Sequence, residues 1–258
     1  MNKIGLVLSG GGARGFAHLG LLKLMDELNV KISAISGVSA GAIFGALYAS
    51  GKTPHEIIAL AKSNSYFGFS SFLWRKEGLF SFEAIRKALK ENLPDDSFQS
   101  LKIPLFVNAT DILHNKSLFF STGELIERLI ASASVPVIFE PIAAEDTKLV
   151  DGGLLNNFPI EPLVSICDKI IGSHVNKLSN IADTNFRFSK AAMIERSFHM
   201  AVANSVYTKL PLCDVFVEPD LEKFGLFRIK DIDQIVEIGY KAASQQKDKI
   251  ITLTKESS

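Results

Sequence analysis

Cysteine is nearly absent from this chain. Cys167 and Cys213 are the two in 258 residues. Both lie in apolar stretches and read as core thiols of a protein kept in a reducing compartment. Their separation matches no metal-site spacing. Net charge is absent too, since 28 basic residues balance 28 acidic ones. A neutral chain lacks the electrostatic footprint of a nucleic-acid binder, and it exerts no strong pull on anionic membrane surfaces. No run of 18 or more uncharged apolar residues occurs, so no membrane-spanning helix is expected. The first apolar stretch is one strand long and runs into glycines instead of a cleavage site. That sets the expectation of a cytoplasmic protein without a secretory leader. Internal repeats, low-complexity tracts and Pro/Gly/Ser linkers are missing as well.

What is present is apolar and periodic. Hydrophobic residues make up 47 % of the chain, enough to bury a full core. Strand patterns are expected at 4–8, 32–36, 104–110, 117–120, 148–150, 169–174 and 214–218. Helical patterns are expected at 15–28, 40–50, 54–63, 82–91, 122–132, 189–208 and 231–249. The alternation predicts an α/β fold, a mainly parallel central sheet with helices on both faces.

Three glycine-bearing motifs punctuate this pattern. The first, Ser9-Gly10-Gly11-Gly12-Ala13-Arg14-Gly15, follows the strand ending at Leu8. Three glycines without Cβ atoms let backbone N–H groups converge, and the positive end of the next helix lies beside them. Such a loop binds a negative charge, either a phosphate or an oxyanion. Gly10, Gly12 and Gly15 also satisfy G-x-G-x-x-G. A dinucleotide fold, however, needs an acidic residue at the end of the second strand, and here that strand ends in Ser36-Gly37. An oxyanion-binding loop is the better account, and a merely tight strand-to-helix turn is the plain one.

The second motif, Gly37-Val38-Ser39-Ala40-Gly41, is a G-x-S-x-G between a strand and a helix, the setting of a nucleophile elbow. Ser39 is the candidate nucleophile. The alternative is a serine capping the helix after a tight turn. The third, Asp151-Gly152-Gly153, follows a short strand. Alone it is an ordinary turn sequence. Beside the other two, Asp151 becomes the base that a serine nucleophile requires.

In this order the three motifs resemble the patatin-like phospholipases. Ala131-Ser132-Ala133-Ser134-Val135-Pro136, followed by Phe139-Glu140-Pro141, is similar to that family's segment ahead of the aspartate. The resemblance spans about residues 3–175. It implies a three-layer α/β/α fold as a single domain over 1–258, with further helical and strand elements at about 176–250. It implies a serine–aspartate dyad, Ser39 and Asp151, needing no histidine, metal or cofactor. The oxyanion hole would be Gly10, Gly11 and Gly12, supported by Arg14, Gly15, Gly37, Gly41, Gly152 and Gly153. The substrate would be a lipid or other acyl ester. A lipid-binding adaptor and an acyltransferase are the alternative activities.

Other residues carry weaker readings. Ser39, Asp151 and His174 stand in the order of an α/β-hydrolase triad, so His174 is the test of the dyad. His18 is a candidate support for the glycine loop. His55, His114 and His199 have no chemical company in sequence. Arg14 is open between steadying the loop, meeting a substrate phosphate and simple exposure. Residues 65–80 hold Phe67, Phe69, Phe72, Trp74 and Phe80. They read as aromatics capping the core, or as a lid or acyl-binding wall suited to peripheral contact with a lipid surface.

Overall fold

Strand β1 (Ile4–Leu8) is buried at every position and has a parallel neighbour on each edge: β2 (Ile32–Val38) and β7 (Lys169–Ser173). A strand covered on both faces and both edges needs a continuous apolar run, and Ile-Gly-Leu-Val-Leu supplies it. The computed structural model describes residues 2–63, 82–136, 138–144, 146–178, 189–226 and 231–255. The aromatic segment 65–80 lies outside these residues.

The remaining strands are β3 (Leu105–Asp111), β4 (Lys116–Phe120), β5 (Ile142–Ala144), β6 (Thr147–Asp151) and β8 (Val215–Val217). Their order is β5-β6-β3-β2-β1-β7-β8, with β4 also paired to β3. From β3 to β8 the path is parallel, while β4, β5 and β6 join antiparallel. The helices are α1 (Ala17–Glu27), α2 (Ala40–Ala49), α3 (Pro54–Ser63), α4 (Glu83–Asn92), α5 (Ile126–Ser132), α6 (Glu161–Val164), α7 (Lys190–Tyr207), α8 (Ile232–Ser244) and α9 (Lys247–Thr254). Among the described residues, no helix is long and apolar enough to cross a membrane.

Alternation along β1 divides the core. Ile4, Leu6 and Leu8 join Leu19 and Leu22 of α1, Leu47 of α2 and Ile235 of α8. Val7 points the other way, to Phe158, Ile160, Leu163 and Val206. The result is three layers, helix, sheet and helix, as the resemblance implied.

Several elements differ from expectation. The helix expected from residue 15 is a 3-10 turn over Gly12–Phe16 before α1 starts at Ala17. The one expected from 122 starts at Ile126, where Asp96 Oδ1 accepts the N–H groups of Leu125 and Ile126. The single helix expected at 231–249 is two, broken at Gln245-Gln246. Strand β5 and helix α6 were not expected. Each is four residues or fewer, too short for periodicity to register.

One register positions the site. On one edge of β3, β4 pairs with residues 107–111 throughout. On the opposite edge, Val38 of β2 pairs with Asn108, and Asp151 of β6 pairs with the next residue, Ala109. Strands β2 and β6 therefore lie end to end along the same edge and point toward one another. Their C-terminal ends meet, which brings residue 39 against residue 151 across 112 positions of sequence.

Phe158 is fully buried in the second core. Phe158→Ala is expected to cost about 3–5 kcal/mol, measured by denaturant unfolding. A loss below about 1 kcal/mol would show that this face of the sheet adds little.

Candidate active site

Ser39 sits between β2 and α2 with φ 53° and ψ −126°. A positive φ is costly for a residue with a side chain and persists only where the surroundings enforce it. Two groups enforce it here. The Ser39 N–H donates to Ser132 Oγ at 2.8 Å, and Ser132 Oγ donates to the Asn108 carbonyl at 2.6 Å. One hydroxyl thus continues the β2–β3 ladder past its last pair. On the other side, a Cβ at Gly41 would lie 2.5 Å from the Ser9 carbonyl oxygen. Only glycine lets the helix start so close to β1.

Asp151 ends β6. Its N–H donates to the Ser134 carbonyl at 2.8 Å. Its Oδ1 accepts the Gly153 N–H at 2.7 Å, and the Ser39 side chain lines the same cavity. Gly152 turns the chain beside Asn108, and a Cβ there would lie 2.5 Å from the Asn108 carbonyl oxygen. Burial lifts the Asp151 pKa from an ordinary 3.8 to about 6, against the opposing pull of the nearby Ser39 side chain and the Gly153 N–H.

The glycine loop faces the same place. Ser39, Asp151, Gly10, Gly11, Gly12 and Gly153 line one cavity of about 190 Å³. The Gly10 carbonyl accepts from Asn176 Nδ2 at 2.7 Å and from Ser9 Oγ at 3.1 Å. In a trans peptide the next N–H points the opposite way, so the Gly11 N–H faces away from both. No described residue accepts from the N–H groups of Gly10, Gly11 or Gly12. Phe16, Ile43, Phe44, Phe82, Ile85 and Phe139 form apolar wall.

Other sequence candidates fall behind this cavity. His18 is fully buried. Its Nε2–H donates to the Ser9 carbonyl at 2.9 Å, and its Nδ1 accepts from Ser173 Oγ at 2.9 Å. Burial lowers its pKa to about 4, so it stays neutral and braces the glycine loop from beneath. Arg14 is buried, not exposed. Its Nε donates to the Phe224 carbonyl at 2.8 Å and Nη2 to that of Glu222 at 3.4 Å. It fastens the turn after the glycine loop to the C-terminal third. Gly15 packs against Ala40 and Phe44, and Gly37 lies under the start of α2.

His174 is fully buried and does not line the cavity. Its Nδ1 lies 3.0 Å from Glu218 Oε1, and its backbone N–H donates to the Val217 carbonyl. His114 pairs with Asp111, His55 is exposed on α3, and His199 lies in α7.

Two residues at the site were not singled out in the sequence, and a third was named there only as part of a segment. Asn157 and Asn176 line the cavity, and Ser132 joins the elbow to β3. The signal for Asn157 was its place four residues past Gly153; for Ser132 it was the small-residue run before Val135-Pro136. Asn176 had none, because its role depends on the β7–β1 pairing.

The family model for patatin-like phospholipases matches residues 6–164. The chain belongs to the patatin-like phospholipase family. An uncharacterized NTE family protein of Mycobacterium bovis is 31 % identical over 167 residues, covering 64 % of this chain and 46 % of that protein. A patatin-like phospholipase domain-containing protein of Caenorhabditis elegans is 27 % identical, covering 97 % of this chain and 21 % of its own length. A lysophospholipase of Emericella nidulans is 21 % identical over 96 % of this chain and 18 % of its own. This patatin-like chain thus spans about a fifth of these fungal and nematode relatives. Among solved structures, VipD of Legionella pneumophila shares the fold with TM-score 0.55 and 16 % identity, covering 96 % of this chain and 67 % of that one.

The raised pKa of Asp151 makes stability depend on pH. The folded state holds the proton more tightly than the unfolded chain. The resulting stabilisation is full below about pH 4 and lost as pH rises through about 6. Asp151→Asn keeps an acceptor for the Gly153 N–H and removes the buried charge. It is expected to be more stable than wild type at pH 8, by up to about 3 kcal/mol, with the gap closing toward pH 4. Urea unfolding at both pH values checks this; a variant less stable at pH 8 contradicts it.

Proposed function

We propose that this patatin-like protein is a serine acyl hydrolase that cleaves carboxylic esters of lipids. The observation that carries the reading is one cavity lined by both Ser39 and the buried Asp151, whose pKa burial raises to about 6. A carboxylate with its ordinary pKa is a poor base for a serine hydroxyl. Burial makes this one a better base while leaving it ionised at neutral pH.

Ser39 Oγ attacks the ester carbonyl as its proton passes to Asp151. The Gly11 and Gly12 N–H groups, with Gly10 beside them, stabilise the tetrahedral oxyanion. The intermediate collapses, the C–O bond to the alcohol breaks, and Asp151 returns the proton to the leaving oxygen. Water then attacks the acyl-enzyme, giving its proton to Asp151. Collapse frees the fatty acid and re-protonates Ser39. No step calls on a metal or cofactor.

The apolar wall supports an acyl chain in the cavity. The name lysophospholipase, borne by fungal relatives, makes monoacyl phospholipids the first substrates to try. Leu154, at the cavity rim, and the adjacent Leu155 are exposed, which supports peripheral contact with a lipid surface.

Ser39→Ala is expected to lower ester turnover at least about a thousandfold, while thermal unfolding stays within a few degrees of wild type. Retained turnover in the folded variant rejects the nucleophile. A lipid-binding adaptor would show no turnover in either protein.

A further inference from the structure

Asn157 has no part in the chemistry above, yet its side chain is placed as if for one. It lines the cavity with Ser39 and Asp151 and is 5 % exposed. Its amide is wedged between two motifs. A Cβ at Gly10 would lie 2.5 Å from Asn157 Oδ1, and a Cβ at Gly153 would lie 2.8 Å from it. Its Nδ2 finds no acceptor among the described residues. A buried donor left unpaired is costly, and native structures rarely carry one without a reason.

The segment around Asn157 is held rigidly. Lys209 Nζ donates to Asn156 Oδ1 at 2.6 Å on one side and to the Phe158 carbonyl at 3.1 Å on the other. Asn156 Oδ1 also accepts the Phe158 N–H at 3.2 Å. The carboxamide is thus held at the cavity wall by a braced loop, the pre-organisation that a recognition group needs.

Its position selects the part of the substrate it would meet. Walls such as Phe44 and Phe139 carry no donor and suit the acyl chain. Asn157 stands instead with Asp151 and the Gly153-Leu154 turn, where Leu154 reaches solvent. Asp151 hands its proton to the leaving oxygen in the hydrolase reading, on which this inference rests. The alcohol portion of the substrate must therefore lie on that side.

We propose that Asn157 Nδ2 donates a hydrogen bond to an oxygen of the substrate's alcohol portion, beyond the scissile ester, and so selects glycerol-based lipids over simple esters. A glycerol hydroxyl and a phosphate oxygen both offer the acceptor. A site built to pair such an oxygen discriminates against analogues lacking it, because its own donor then stays unpaired.

The test measures kcat/KM of wild type and Asn157→Leu on three palmitoyl esters in one detergent: lysophosphatidylcholine, monoacylglycerol and the ethyl ester. The substitution is expected to lower the preference for a glycerol-based ester over the ethyl ester about tenfold. A drop shared by monoacylglycerol assigns the hydroxyl, and a drop confined to lysophosphatidylcholine assigns the phosphate. Equal losses on all three, or no loss on any, overturn the proposal. Asn157→Ala, which adds no bulk between Gly10 and Gly153, repeats the test where the leucine prevents folding. Ser39→Ala is run in parallel. If it still hydrolyses the ethyl ester, the hydrolase reading fails whatever Asn157 does.

Discussion

A single edge of β3 sets where Ser39 and Asp151 are brought together. Strands β2 and β6 share it from opposite directions, and consecutive residues, Asn108 and Ala109, hold their ends. Main-chain hydrogen bonding fixes that register, since a slip by one residue would turn every side chain to the other face. Ser39 and Asp151 inherit the precision of the ladder. The Ser132 hydroxyl carries the ladder across the gap, accepting from Ser39 and donating to Asn108. Such a joint explains how a serine with φ 53° is kept in a conformation that it would leave if free.

The same joint places Asp151 in conflict. Burial disfavours its charge, while the Gly153 N–H favours it, and burial wins. A protein optimised only for stability would put an uncharged group there. Retaining the carboxylate is the kind of local violation expected where a site needs a base. His18 shows the converse solution. Buried behind the glycine loop, it stays neutral and spends both ring nitrogens on hydrogen bonds that hold Ser9 and Ser173. Together with Asn176 it ties down the loop's carbonyls at Ser9 and Gly10.

The main features of the fold were legible because they are periodic. Apolar runs at 4–8 and 32–36, each followed by a helical pattern, foretold a parallel sheet with helices on both faces. The three glycine motifs were legible because glycine marks close approach of main chain, and they do meet around one cavity. What stayed hidden depends on tertiary pairing. Nothing near residue 176 in sequence tells that its amide will meet Gly10, 166 positions away. Nothing near Arg14 tells that Phe224 and Glu222 will cover it. Short elements such as β5 lack the length to show a period, and the break between α8 and α9 falls at two glutamines that carry no stop signal.

The central claim is that Ser39 is a nucleophile activated by a buried carboxylate. Its most direct test is covalent labelling with a long-chain fluorophosphonate, followed by mapping of the adduct by peptide mass spectrometry across a pH series. The account predicts one phosphonylated residue, Ser39, with a labelling rate that rises through an apparent pKa of about 6 and collapses in Asp151→Asn. An adduct on another serine, or undiminished labelling of Ser39 in that variant, would contradict it.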